Sequence, residues 1–208
     1  MNPSTFNSDG DALSVLLKLI LLAMSVASWS VIAYKSWFLH RVGADLYASR
    51  AAFWQARDRQ QAWMALEALD RMQVLMPLAQ AEQQLLAGTL GTQAERVDQR
   101  TRVLRDALHG VLQRLQSGQV LLASVGATAP FGGLLGTVWG IYHALVGIAA
   151  STQFSLELVA GPVGDSLVMT AAGLAVALPA VVAFNIMGRL INRVEQELEG
   201  FAYDLRAL

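Results

Sequence analysis

Apolar residues gather into three long runs, at positions 19–38, 120–148 and 167–187. Each reaches the roughly 20 residues that a bilayer-spanning helix needs. Lys35 interrupts the first near its end, and Arg189 closes the third. The middle run is the most informative. No Asp, Glu, Lys or Arg occurs from position 115 to 156, and glycines at 126, 133, 140 and 147 recur every seventh residue. An interior glycine costs a water-exposed helix about 1 kcal/mol relative to alanine. In lipid the backbone must bond internally, so the helix persists, and a stripe of small residues lets a neighbouring helix come close. Gly126, Gly133, Gly136, Gly140 and Gly147, with Gly173 in the third run, are the predicted packing positions. Pro130 and Pro179 each free a carbonyl one turn back, at Gly126 and Ala175, and predict kinks.

Between the first two runs the pattern is helical. Leu66, Leu69 and Met72 keep helical spacing, with Leu75 and Met76 one turn on, and Pro77 divides or kinks the stretch. Gly88 and Gly91 punctuate it. Val97, Leu104, Leu108, Val111 and Leu115 form one apolar stripe that runs into the second span, past Gly110 and Gly118. The expectation is one helix over 93–150, about 85 Å long at 1.5 Å per residue. After the third span, Ile191, Val194, Leu198, Phe201 and Leu205 alternate steps of three and four, a short heptad seam. Such a seam suits a tail helix on a single chain or a bundle of copies; two stripes on helices leaving the membrane favour the copies.

The pattern thus predicts an all-α integral membrane protein with three transmembrane helices and long cytoplasmic helical extensions. Its segments are an outward-facing stretch 1–17, a first span 18–39, a cytoplasmic helical region 40–118, a second span 119–150, an outward loop 151–162, a third span 163–188 and a cytoplasmic helix 189–208. Charge sets this orientation. No Lys or Arg precedes Lys18, positions 42–119 carry nine arginines, 151–164 carry none, and Lys35, Arg41, Arg189 and Arg193 flank span ends. By the positive-inside rule the middle segment and the tail are cytoplasmic. Ser25-Val26-Ala27 resembles a cleavage site, but Asp9 and Asp11 precede it where a signal peptide carries positive charge, so the span is expected to stay uncleaved.

Composition removes several chemistries. A net charge of −1 gives no reason to expect nucleic acid. The absence of cysteine excludes disulfides, thiolate metal sites and cysteine nucleophiles. His40, His109 and His143 lie far apart, and no zinc-protease, phosphate-loop, dinucleotide or nucleophile-elbow motif occurs. No metal, cofactor or enzymatic activity is expected. An intramembrane aspartyl protease needs two membrane carboxylates where this chain has one. Ser124 and His143 would stand about 28 Å apart along one helix, too far to act as nucleophile and base.

Three polar positions in the spans remain. Asp165 is the carboxylate beside the third run. Burial would favour its protonated form and suit it to a proton relay. Equally, Pro162 reads as a first-turn proline, and an acid in a first turn complements the helix dipole. Both readings stand. Thr137 and Thr170 can donate and accept along a polar path, or simply bond their own helix backbone. His143 beside Tyr142, and Trp139, read as interface or packing residues, and Asn185 as a donor across helices.

The stretch APFGGLLGTVWGIYHALVGIA, 129–149, and the stretch VAGPVGDSLVMTAAGLAVALPAVVAFN, 159–185, together with MSVASWSVIAYKSW at 24–37, resemble the ExbB/TolQ/MotA-type proton-channel family, most strongly its ExbB branch. The two longer motifs are highly specific, and the resemblance covers all three spans. It implies a homo-oligomeric ring, a pentamer, around the single spans of a smaller ExbD-like or TolR-like partner in the bacterial inner membrane, with a periplasmic N-terminus and a cytoplasmic C-terminus. It further implies that the proton-motive force drives a TonB-like or TolA-like transducer. Residue by residue, the family's intramembrane acid falls on Asp165, its pore threonines on Thr137 and Thr170, and its third-span proline and asparagine on Pro179 and Asn185. The family usually carries Glu at the acidic position, so Asp165 reaches one methylene less far. The implied function is a proton-channel subunit serving TonB-dependent outer-membrane transport. A TolQ-like subunit of the Tol-Pal system and a non-conducting membrane scaffold are the alternatives.

Overall fold

The computed structural model of the chain describes residues 3–83, 96–150 and 157–206. Among them are six helices and no strand: α1 (Pro3–Gln55), α2 (Arg59–Leu69), α3 (Met76–Gln83), α4 (Arg96–Gln116), α5 (Gln119–Ala150) and α6 (Glu157–Arg206). Three stretches, Ala12–Gln55, Asp98–Ala149 and Ala160–Arg206, are long and apolar enough to cross a membrane. Gly88, Gly91 and the loop positions 151–156 lie outside the described residues. The chain divides into two compact units, Met1–Ala33 with Gly118–Asn185, and Tyr34–Ser117 with Ile186–Leu208.

The first unit holds the glycine-rich sequence, and small side chains share its interior with Leu21, Leu122 and Met169. Ala129 and Ala180 are fully buried, with Ala177, Thr137 and Ser166 nearly so, while Leu19, Trp29, Phe131, Val138, Leu167 and Leu178 point outward. An apolar exterior around a small-residue interior suits lipid or further helices and is unsuited to water.

The second unit has a conventional core. Leu66, Leu75, Leu78, Leu115, Leu198 and Phe201 are fully buried. Every member of the tail seam, from Ile191 to Leu205, is buried within the chain. Phe201 meets the rings of Phe53 and Trp54 at 5.1 and 6.0 Å, and Arg50 pairs with Glu197 close by in sequence. The seam expected to draw copies together is therefore buried within the chain, and at Phe201 it meets α1.

Two further expectations need correction. The helix expected over 93–150 is broken: α4 stops at Gln116, and Gly118 takes a φ of 84°, outside the helical region. Gly110, the other candidate breaker, stays inside α4. The second correction concerns α6, which begins at Glu157, so Pro162 lies inside the helix and not in its first turn.

Helix ends in the second unit are set by aspartates. Asp58 caps α2 by accepting from the Gln61 amide at 2.7 Å, and the Gln61 side chain reaches back to the Arg57 amide at 3.0 Å. This is a near relative of the capping box. Asp70, only 5% exposed, accepts from the amides of Val74, Leu75 and Met76 at 2.9, 2.8 and 2.7 Å, which orders the turn into α3. Pro77 then sits at the second position of α3, where its missing N–H costs nothing.

Candidate functional site

Helices α5 and α6 meet along a seam of small residues. A Cβ added at Gly133 would lie 2.7 Å from the Met169 carbonyl oxygen and 3.1 Å from the Thr170 Cα. One at Gly173 would lie 2.6 Å from the Ala129 oxygen and 3.0 Å from the Gly133 Cα. Both contacts are with backbone, so only glycine permits this approach. Gly126 faces Val181, Gly136 faces Met169 and Gly140 faces Ser166, in each case with a side-chain atom nearest. Gly147 departs from the series, with nothing within 4 Å of its added Cβ. Its predicted packing role has no partner among the described residues.

The close approach puts two hydroxyls together. Thr137 is 6% exposed and its hydroxyl donates to the Leu134 carbonyl at 2.7 Å. The Thr170 hydroxyl donates toward Thr137 Oγ1 at 3.3 Å or toward the Gly133 carbonyl at 3.5 Å. A hydroxyl has one proton, so Thr170 can satisfy one of these acceptors at a time. The result is a short hydroxyl chain ending on a backbone carbonyl. Backbone bonding and facing hydroxyls thus coexist at this pair.

Asp165 is placed differently. It lies five residues before Thr170, about 140° around an ideal helix, and is exposed on the surface of the chain while its neighbour Ser166 is 4% exposed in the seam. Within one chain Thr137 therefore faces Thr170, and Asp165 lies on another side of α6. Asp165 also stands about two turns inside α6, beyond the reach of a first-turn dipole effect. A carboxylate there is costly against lipid tails and needs a cavity or a partner.

The remaining candidates pack as follows. Pro130 and Pro179 lie inside unbroken helices. Trp139, Tyr142 and His143 cluster one turn apart, with His143 edge-on to Trp139 at 4.7 Å and to Tyr142 at 5.4 Å. The Asn185 amide donates to the Val181 carbonyl of its own helix at 2.9 Å. Sequence reading missed the weight of Lys35, Arg114 and Asp70. Lys35 was legible only as a break in an apolar run, although its ammonium donates to the Arg114 and Leu115 carbonyls at 2.9 and 3.0 Å.

The model of the MotA/TolQ/ExbB proton channel family matches residues 68–200, more than half of the chain. The chain belongs to that family. It is 42% identical to the biopolymer transport protein ExbB of Xanthomonas campestris, over 96% of this chain and 83% of the relative. It is 34% identical to the protein of that name from Neisseria meningitidis, over 99% of this chain and 96% of the relative. The Tol-Pal system protein TolQ of Haemophilus influenzae is 28% identical over 89% of this chain and 84% of its own length. As a member of the proton channel family with three spanning-length stretches, the chain is a multi-pass membrane protein. The seam holds one hydroxyl pair, and Asp165 places a carboxyl group on the outer surface of the chain.

Proposed function

We propose that the chain is the ExbB-like proton-channel subunit of an inner-membrane motor that couples the proton-motive force to TonB-dependent transport across the outer membrane. The observation that carries this reading is the exposed Asp165 inside α6 of a proton channel family member. A lone carboxylate facing lipid is unfavourable. Five copies in a ring around the span of an ExbD-like partner would give it an aqueous lumen to face. Higher identity to ExbB relatives than to the TolQ relative supports the TonB branch.

In this reading the N-terminus is periplasmic, and the second unit and the tail are cytoplasmic, in keeping with the positions of Lys35, Arg41, Arg189 and Arg193. Protons enter from the outer face into a lumen that Asp165 faces, with the Thr137–Thr170 pair of the α5–α6 seam in its wall. Transfer to a carboxylate on the partner's span shifts the preferred position of that span, and the motion passes to a TonB-like transducer. No substrate bond is made or broken.

The test is complementation of a strain lacking its ExbB-type subunit, scoring energised uptake. The native chain should restore it, whereas Asp165→Asn and Thr170→Val should assemble normally and lose it. Uptake at the native level by both variants sinks the pore assignment. A parallel strain lacking its TolQ-type subunit should remain defective; rescue there would place the chain in the Tol-Pal branch.

A further inference from the structure

Within the second unit, α4 and the end of α6 leave a groove between them. Leu104, Arg105, Leu108 and His109 share one face of α4. Glu199, Ala202, Tyr203 and Arg206 share one face of α6. Together they line a cavity of about 360 Å³, a size at the lower end of small-molecule sites. Its base is apolar. Leu104 is buried, and Leu108, from the same stripe as the buried Val111 and Leu115, is only half-buried where it lines the groove.

The rim is polar and unbalanced. It carries an arginine from each helix, Arg105 and Arg206, with the His109 imidazole and a single carboxylate, Glu199. All four side chains are exposed. Among the described residues neither arginine has an ion-pair partner, whereas Arg50, Arg59 and Arg100 each face a glutamate. The Arg206 guanidinium lies 5.1 Å from the centre of the Tyr203 ring, a contact that narrows its range of positions. Two guanidinium groups around one space repel each other, and an anion between them offsets that cost. Planar guanidinium forks match phosphoryl oxygens. A bilayer headgroup is out of reach: Arg206 lies about 25 Å along α6 from Arg189, which closes the third apolar run.

We propose that the α4–α6 groove binds a small organic phosphate, a dianion carried on a compact apolar or aromatic body. Arg105 and Arg206 hold the phosphoryl oxygens, and Leu104, Leu108 and Ala202 receive the body. Glu199 favours ligands that also bear a hydroxyl or ammonium donor and opposes those that do not. The enclosed volume suits a small molecule better than a peptide, which needs an extended surface. This inference does not rest on the proton-channel reading, and its test reads binding, not uptake.

The probe is phenyl phosphate, titrated by calorimetry into the full chain in nanodiscs of zwitterionic lipid. Saturable binding of one equivalent per chain is expected, at least about tenfold tighter than for inorganic phosphate because the ring leaves water. Arg105→Gln and Arg206→Gln should each weaken it about tenfold. Glu199→Gln should tighten it about threefold, since phenyl phosphate brings no donor to that carboxylate. Arg71→Gln, at an exposed arginine outside the groove, should change it by less than about twofold, because distant surface charge is screened. An equal loss in Arg71→Gln would reveal general charge attraction and overturn the site. Binding no tighter than that of inorganic phosphate, or no saturable binding, would overturn it too. Tighter binding of a hexaglutamate peptide would make the groove a peptide dock and overturn the assignment.

Discussion

The two units solve the same packing problem with opposite materials. Gly118–Asn185 brings α5 and α6 together largely through glycine, alanine and two threonines, leaving many of its large apolar side chains outside. Tyr34–Ser117 with Ile186–Leu208 buries leucines and Phe201 and ties its helix ends with Asp58, Asp70, Lys35 and Arg114. The two materials suit different solvents. In lipid, bringing two leucines together gains little because the tails are equally apolar, so association relies on backbone approach and hydrogen bonds. In water, burial of large side chains is the dominant favourable contribution. Charged caps are useful where a helix end meets a polar surface and expensive within hydrocarbon.

The comparison implies that the second unit is the more sensitive to loss of volume. Phe201→Ala removes a fully buried ring that touches Phe53 and Trp54. The expected cost is about 3–5 kcal/mol, read as a lower unfolding midpoint of the purified chain in detergent. A shift equivalent to under 1 kcal/mol would show that this unit does not depend on its large core. Asp70→Ala comes next. It removes the acceptor for the Val74, Leu75 and Met76 amides, for an expected loss of about 2–3 kcal/mol. Faster hydrogen exchange confined to positions 70–78 checks the mechanism; a uniform change across the chain contradicts it.

How far these features could be read in the sequence depends on whether their cause is local. The spans are local: a charge-free run and periodic glycines specify helices in lipid without knowledge of any partner. The contact face of α5 is nearly so, since Gly126, Gly133 and Gly140 fall on one side by spacing alone. The Asp58–Gln61 cap was present as a motif and overlooked. Other features were not legible. Gly110 and Gly118 look alike in sequence, and the bonds at the second come from Lys35, about eighty residues away. Asp70 reaches four to six residues forward across a turn whose shape no local rule supplies. Asp165 and Thr170 lie five residues apart and so on different sides of α6, and which side meets α5 follows only from the packing of the two helices.

The membrane unit should fail by gain of volume. Gly133→Ala would place a methyl 2.7 Å from the Met169 carbonyl and 3.1 Å from the Thr170 Cα. The two backbones must then separate, at an expected cost of about 1–3 kcal/mol. Separation should also lengthen the Thr170–Thr137 contact, now 3.3 Å. Unfolding of the reconstituted chain in bicelles, titrated with denaturing detergent, measures the cost. A neutral result would show that the seam has slack, and the contrast between the units would weaken.

Gly147→Ala is the smallest effect and the sharpest control. The residue continues the seven-residue spacing and lies on α5, yet nothing stands within 4 Å of its added methyl. Alanine is the better helix former by about 1 kcal/mol in water, an advantage that shrinks in lipid because the backbone is bonded internally for either residue. The expected change for the isolated chain is therefore within about 0.5 kcal/mol and neutral or stabilising. If the same variant, harmless alone, impairs assembly of several copies in the bilayer, then the spacing at Gly147 serves a contact made by another chain. If it destabilises the single chain as much as Gly133→Ala does, glycine is required along α5 for a reason other than the approach of α6.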